Sequence, residues 1–102
     1  MDIQKMMKQA QEAQTKMVAL QEELANETIE ASAGGGMVKA TMTGAYELTS
    51  IKIDPSAVDT SDIELLEDMV VAAVNEAFRS AAELANSRMA EITGGMNIPG
   101  LM

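Results

Sequence analysis

The chain has 102 residues, which is enough for one domain but only marginally enough to bury a core of its own. It contains no cysteine and no histidine, which excludes disulfides, thiolate nucleophiles, imidazole bases and the usual zinc ligands. Because these catalytic groups are missing, we expect a protein that is not an enzyme. No apolar run approaches the length of a bilayer span, so we also expect a cytosolic protein with no membrane partner.

The formal net charge of −9 is distributed unevenly along the chain. Residues 1–20 carry three lysines against two acids, a net charge of +1, whereas the remaining residues carry four basic and fourteen acidic side chains, a net charge of −10. Spread evenly, this charge would repel nucleic acid and anionic membranes. Any anion-binding surface is therefore expected to involve the N-terminal helix.

The first element, residues 1–26, is predicted to be a helix with an apolar seam. Apolar residues recur at alternating steps of three and four over about three heptads, as in a coiled coil. They fall within roughly a third of the helix circumference. The members of this seam are Ile3, Met6, Ala10, Ala13, Met17, Leu20 and Leu24.

Lys5, Lys8 and Lys16 lie on the side of this helix opposite the apolar seam, and we call them the cationic face. Glu12 lies four residues after Lys8 and four before Lys16. One interpretation is a ladder of exposed ion pairs, each worth a few tenths of a kcal/mol. The other is a surface that contacts an anion.

Residues 27–54 are predicted to form a three-stranded meander, because apolar and polar residues alternate on both sides of Gly34–Gly36. The pair Gly44–Ala45 predicts a two-residue type II′ hairpin. The alternation breaks between Leu48 and Ile51, which predicts a bulge near Thr49–Ser50.

Residues 61–93 are predicted to form a second helix. Ser61 to Glu64 match a capping box, and Gly94–Gly95 is the expected stop. The apolar residues that follow at helical spacing include Phe78. The helix would be about 50 Å long at 1.5 Å per residue, more than a small sheet can cover, so part of it must project or find a partner. The tail, residues 94–102, is expected to be partly docked near Gly94 and frayed at its end.

Two other features could bind ligands but have ordinary structural explanations. A phosphate loop needs a helix directly behind its glycines, whereas a strand follows Gly34–Gly36, so we expect a turn there. The acidic residues between 59 and 68 lack the EF-hand pattern, and acids near a helix N-terminus complement its dipole. We predict no metal, no cofactor and no small-molecule substrate.

Several segments together resemble the YbaB/EbfC family of bacterial nucleoid-associated proteins, and they cover nearly the whole chain in the family's order and spacing. These are Met7-Lys8-Gln9-Ala10-Gln11, Gln21-Glu22-Glu23-Leu24, Ala33-Gly34-Gly35-Gly36-Met37-Val38-Lys39, Ile51-Lys52-Ile53-Asp54-Pro55, Leu66-Glu67-Asp68, Ala72-Ala73-Val74-Asn75 and Gly94-Gly95-Met96-Asn97-Ile98-Pro99-Gly100-Leu101. The resemblance implies a single domain over residues 1–102 of the α+β class, with a three-stranded antiparallel sheet between two long helices. It also implies a tweezers-shaped homodimer in the cytoplasm and nucleoid that binds double-stranded DNA with low sequence specificity and affects nucleoid organisation and gene expression.

Carried onto this sequence, the resemblance makes Lys5, Lys8 and Lys16 the DNA-binding candidates, with Gln9 and Glu12 nearby. Arg79 and Arg88 on the last helix are further candidates, although their spacing of nine residues places them on opposite sides of that helix. Lys39 and Lys52 accompany the strand motifs. Because the chain is acidic, a rival hypothesis stays open: a dimeric protein-interaction or scaffold module with weak or no DNA binding.

Overall fold

The computed structural model describes residues 2–96, with side chains described as far as Ile92. The elements are helix α1 (Ile3–Asn26), strands β1 (Thr28–Ala33), β2 (Val38–Thr43) and β3 (Leu48–Ile53), a short 3-10 helix (Pro55–Ala57) and helix α2 (Ile63–Met96). The strands form one antiparallel sheet in the order β1-β2-β3. The predicted α-β-β-β-α class is confirmed.

The core lies between α2 and the inner face of β1 and β2. Ala73, Ala77 and Ala81 recur every four residues along α2 and are fully buried, and their small side chains allow the helix to lie close to the sheet. Val38 is the largest fully buried side chain in the described part of the chain. The core is therefore thin.

The glycine triplet forms the turn between β1 and β2, and all three glycines have positive φ angles of 64°, 68° and 91°. This left-handed backbone is one that residues with a Cβ rarely adopt. At Gly34 a Cβ would also collide with the side chain of Met69 on α2. The prediction of a turn between strands is confirmed.

The second turn differs from the predicted type II′ hairpin. It has three residues, Gly44 to Tyr46, and the positive φ angle of 67° belongs to Tyr46. The Thr43 hydroxyl accepts hydrogen bonds from the N–H groups of Ala45 and Glu47, which stabilises this longer turn. Gly44 is needed for another reason: a Cβ there would lie 2.6 Å from the carbonyl oxygen of Leu24.

The bulge predicted near Thr49–Ser50 is confirmed. Thr41 pairs with Ser50 and Met42 with Leu48, so Thr49 is the extra residue on β3. Its hydroxyl donates to the carbonyl oxygen of Thr41 at 3.1 Å. The bulge restores the alternation, so that Leu48, Ile51 and Ile53 share the inner face of the sheet.

Helix α2 departs from its predicted bounds at both ends. Its N-cap is Asp62, whose carboxylate accepts from the N–H of Leu65 at 3.2 Å, so the cap falls one residue after Ser61. At the other end the helix continues through Gly94 and Gly95 to Met96. Glycine weakens a helix by about 1 kcal/mol but does not clash within it, so two glycines need not stop it. Residues 97–102 of the predicted tail lie outside the described part.

The molecule is strongly elongated. It measures 70 × 25 × 16 Å with a radius of gyration of 19.6 Å, whereas a compact chain of this length would have about 13 Å. The extension comes from helices of 24 and 34 residues, about 36 and 51 Å long at 1.5 Å per residue.

Candidate nucleic-acid interface

Helix α1 is joined to the rest of the molecule near its C-terminal end. Leu20 and Leu24 are its buried side chains, and they border an apolar groove shared with the turn at Gly44–Tyr46 and with Ala85 and Met89 of α2. We call residues 20–26 the base of α1 and residues 3–19 the arm. The base is where the apolar seam meets the protein body.

The arm leaves most of its seam uncovered. Ala13 and Met17 are half-buried, whereas Ile3 and Met6 are 68% and 53% exposed. Within one chain, the predicted apolar seam is therefore covered only near the base. The arm begins at Asp2, whose carboxylate caps the helix by accepting from the N–H of Lys5 at 3.3 Å.

The cationic face lies on this arm and points into solvent. Lys5, Lys8 and Lys16 are all exposed. Within residues 2–92, the ladder of ion pairs through Glu12 does not form, and none of the three ammonium groups lies within 4 Å of a carboxylate. Lys5 and Lys16 are about 16 Å apart along the helix axis. These three charges are thus presented without a neutralising partner from the described residues.

The two arginines are placed differently from the lysines. Arg79 pairs with Glu76 of the same helix at 2.9 Å. Arg88 reaches across to the C-terminal end of α1. Its Nη2 lies 2.6 Å from Oε1 of Glu27, the residue that caps the helix, and its Nη1 lies 3.9 Å from Oε2 of Glu23 in the last turns. The structure therefore does not bring either arginine onto the cationic face, although Arg88 and Lys16 border the same cleft between the helices.

Lys39 and Lys52 lie on the outer face of the sheet, directly opposite each other on β2 and β3. Both are exposed, and Ser32 is the partner of Lys39 on β1. Glu30 shares this face, so the two lysines form a smaller and more balanced charge group than the arm. They lie on the sheet, whereas the cationic face lies on α1.

The acidic residues before α2 organise local turns. Asp59 accepts from both the N–H and the hydroxyl of Ser61, and these hydrogen bonds lower the pKa of its carboxyl. Asp54 has the same arrangement with Ser56, whose N–H is the main cause of its lowered pKa. Among the described residues no group of three acidic side chains is arranged to hold a metal ion, and no helix there is long and apolar enough to cross a membrane.

An exposed apolar surface beside α2 was missed by the sequence reasoning. Because α2 packs mainly across β1 and β2, the inner face of β3 is only partly covered: Ile51 packs against the core, whereas Leu48 and Ile53 are exposed. Phe78, one of the apolar residues at helical spacing on α2, is 53% exposed and lies against Tyr46 with ring centroids 4.8 Å apart. Val71, two turns earlier on the same side of α2, is 59% exposed. We call this surface the side patch; its members are Tyr46, Leu48, Ile53, Val71 and Phe78. The sequence did indicate this patch: Val71 and Phe78 are seven residues apart and so share a side of α2, next to the side that carries Ala73, Ala77 and Ala81.

These features define an elongated α+β protein with a projecting helical arm, an exposed cationic face and an exposed apolar patch. Residues 1–96 match the YbaB/EbfC DNA-binding family, and the chain belongs to that family. A nucleoid-associated protein of Thermoanaerobacter pseudethanolicus is 57% identical over 100 residues, which are 98% of this chain and 90% of that protein. Another of Moorella thermoacetica is 52% identical over 99 residues, covering 97% of this chain and 95% of the relative.

The fold is also similar to a solved structure. The crystal structure of an uncharacterized protein from Helicobacter pylori has a TM-score of 0.80 and covers 91% of this chain and 98% of its own. The two sequences are 22% identical, so the likeness concerns the fold alone.

Proposed function

We propose that this protein is a nucleoid-associated protein that binds double-stranded DNA as a homodimer, without catalysis and with low sequence specificity. The observation that carries the proposal is the exposed cationic face on a helix that projects from the body. Membership in the YbaB/EbfC DNA-binding family supports the choice of ligand, as does the naming of its relatives as nucleoid-associated proteins. Such a protein acts at the nucleoid in the cytoplasm.

The chemistry of the cationic face fits phosphate rather than base recognition. Lysine ammonium groups are point charges that contact backbone phosphates and carry no sequence information by themselves. The neighbouring Gln4, Gln9 and Gln11 are exposed and uncharged, so they add no repulsion. The arm therefore offers a narrow cationic surface on a molecule that is otherwise acidic.

A homodimer would double this surface and is supported by two observations. The core of one chain is thin, with Val38 as its largest fully buried described side chain, and a domain of this size is marginal on its own. The side patch is a group of exposed apolar side chains on α2, on the turn before β3 and on the partly covered inner face of β3. We propose that the side patches of two copies pack together, which places one arm on each side of the dimer body.

The dimer is tested by replacing Phe78 with Glu. A charge at the centre of an apolar interface should convert the protein to a monomer in sedimentation velocity. Glu64→Lys, a charge change at an exposed position outside the side patch, should leave the dimer intact. If the wild-type protein sediments as a monomer, or if Phe78→Glu still sediments as a dimer, the proposed interface is wrong.

DNA binding is tested by the fluorescence anisotropy of a labelled duplex at several salt concentrations. Six lysines from two arms predict a log–log slope of up to about −5, so that affinity falls by about a thousandfold between 50 and 200 mM salt. Replacing Lys5, Lys8 and Lys16 together by Glu should abolish binding and leave the dimer intact. No binding by the wild type at low salt would contradict the proposal and favour a scaffold that acts through protein partners.

A further inference from the structure

The orientation of the arm depends on the contacts made at the base of α1. Residues 3–12 are exposed throughout, so nothing in the described part of the chain holds the outer arm in place. The cationic face extends outward from Lys16 to Lys5, about 25 Å from the middle of the base. A rotation of about 10° at the base would move Lys5 by about 4 Å, which is enough to change which phosphates it can reach.

Three contacts hold the base against the body. Leu20 and Leu24 are buried, and the N–H of Gly44 donates to the carbonyl oxygen of Glu27 at 3.1 Å. The third contact is the pair of carboxylates, Glu23 and Glu27, on the guanidinium of Arg88. The apolar contacts permit sliding and rotation, whereas the two polar contacts are directional. Of these, only the one to Arg88 ties the end of α1 to α2, through a hydrogen bond to Glu27 and a longer charge contact, 3.9 Å, to Glu23.

Arg88 is well placed for this role. Its side chain and that of Glu27 are 34% and 33% exposed, so the pair is partly shielded from solvent. Their bond joins residues 61 positions apart. The other ion pair of the described residues, Arg79 with Glu76, lies within α2 and joins nothing to the arm.

We infer that Arg88 is a positioning residue: it orients α1 through Glu27 and Glu23 and so sets where the cationic face meets DNA. This inference rests on the proposed function for its consequence on DNA, but the orientation of the arm can be measured without DNA. Arg88 then affects DNA binding through α1 and needs no phosphate contact of its own.

The orientation is measured by pulsed electron paramagnetic resonance between nitroxides on Gln4→Cys in the arm and Ser50→Cys on the sheet. The chain has no native cysteine, and dilution with unlabelled protein leaves one labelled chain per dimer. Arg88→Ala should shift or broaden the distance distribution by about 4 Å or more, following the rotation estimate above. Glu27→Gln should do the same, and Arg88→Lys should stay closer to the wild type.

Arg79→Ala is the matched control, because it removes one arginine that also pairs with a glutamate. Its distance distribution should equal that of the wild type. In DNA binding, Arg88→Ala should lower affinity about tenfold and Arg79→Ala by less than twofold, although both remove one positive charge. An unchanged distribution in Arg88→Ala and Glu27→Gln, with DNA binding intact, would overturn the inference alone. A shifted distribution with no DNA binding by the wild type would overturn the proposed function and leave the positioning role standing.

Discussion

The two helices of this protein are both longer than the sheet can cover, yet they use their apolar faces differently. Helix α2 buries Ala73, Ala77 and Ala81 against the strands, whereas α1 buries Leu20 and Leu24 at its base and exposes the remainder of its seam. The same three-and-four spacing therefore gives a core element in one helix and a projecting arm in the other. The two helices differ because α2 lies against the sheet, whereas the arm of α1 has no surface of the described chain to pack against.

The largest effect expected from this difference is on stability. Ala77→Asp places an unpaired charge in the core and should cost at least about 3 kcal/mol, enough to unfold a domain this small. Ala10→Asp, on the exposed part of the seam, should cost about 0.5 kcal/mol through helix propensity. Urea unfolding followed by circular dichroism measures both. Similar losses would mean that the arm is packed in the native assembly.

The joint between arm and body should be the next most sensitive place. Gly44→Ala puts a Cβ 2.6 Å from the carbonyl oxygen of Leu24, so the base must move, at a cost of about 1–3 kcal/mol. Ala45→Ser changes the exposed neighbouring residue and should stay within about 0.5 kcal/mol. The comparison is made by thermal or urea unfolding of both variants. A neutral Gly44→Ala would show that α1 does not lie against this turn.

The smallest expected difference between the two helices is in the loss of stability when their N-caps are removed. Asp62→Ala removes the N-cap of α2 and should cost about 1 kcal/mol, because the start of α2 belongs to the cooperative unit. Asp2→Ala removes the equivalent cap of α1 and should leave global stability unchanged, since the outer arm can fray alone. Hydrogen exchange should instead rise at the first turn of α1. A global loss in Asp2→Ala as large as in Asp62→Ala would contradict an independent arm.

Much of the fold was predictable because it follows from local patterns. The alternation of apolar and polar residues in the strands, the bulge at Thr49 and the turn at Gly34–Gly36 are each encoded within a few residues. The turn at Tyr46 was not predictable, because a left-handed tyrosine is intrinsically unfavourable and depends here on the Thr43 hydroxyl and the ring of Phe78. The exposure of Phe78 likewise depends on where α2 crosses the sheet, which helical spacing does not specify.

The candidate site was likewise predictable where it depends on local spacing and not where it depends on contacts between distant residues. The cationic face followed from the spacing of three lysines on one helix, and the overlong helices indicated projection. The partners of Arg88 were not predictable, because Glu27 lies 61 residues away and meets it only in the folded chain. The family resemblance supplied DNA as the ligand, which helical geometry and charge alone did not specify.

The most direct test of the account compares two double charge reversals on the same labelled duplex at low salt. Lys5→Glu with Lys8→Glu alters the arm, and Lys39→Glu with Lys52→Glu alters the outer face of the sheet; both change the net charge equally. The account predicts that the arm variant loses affinity by about a hundredfold or more, whereas the sheet variant loses only a few-fold through general repulsion. Equal losses, or a larger loss in the sheet variant, would contradict the assignment of DNA binding to the arm.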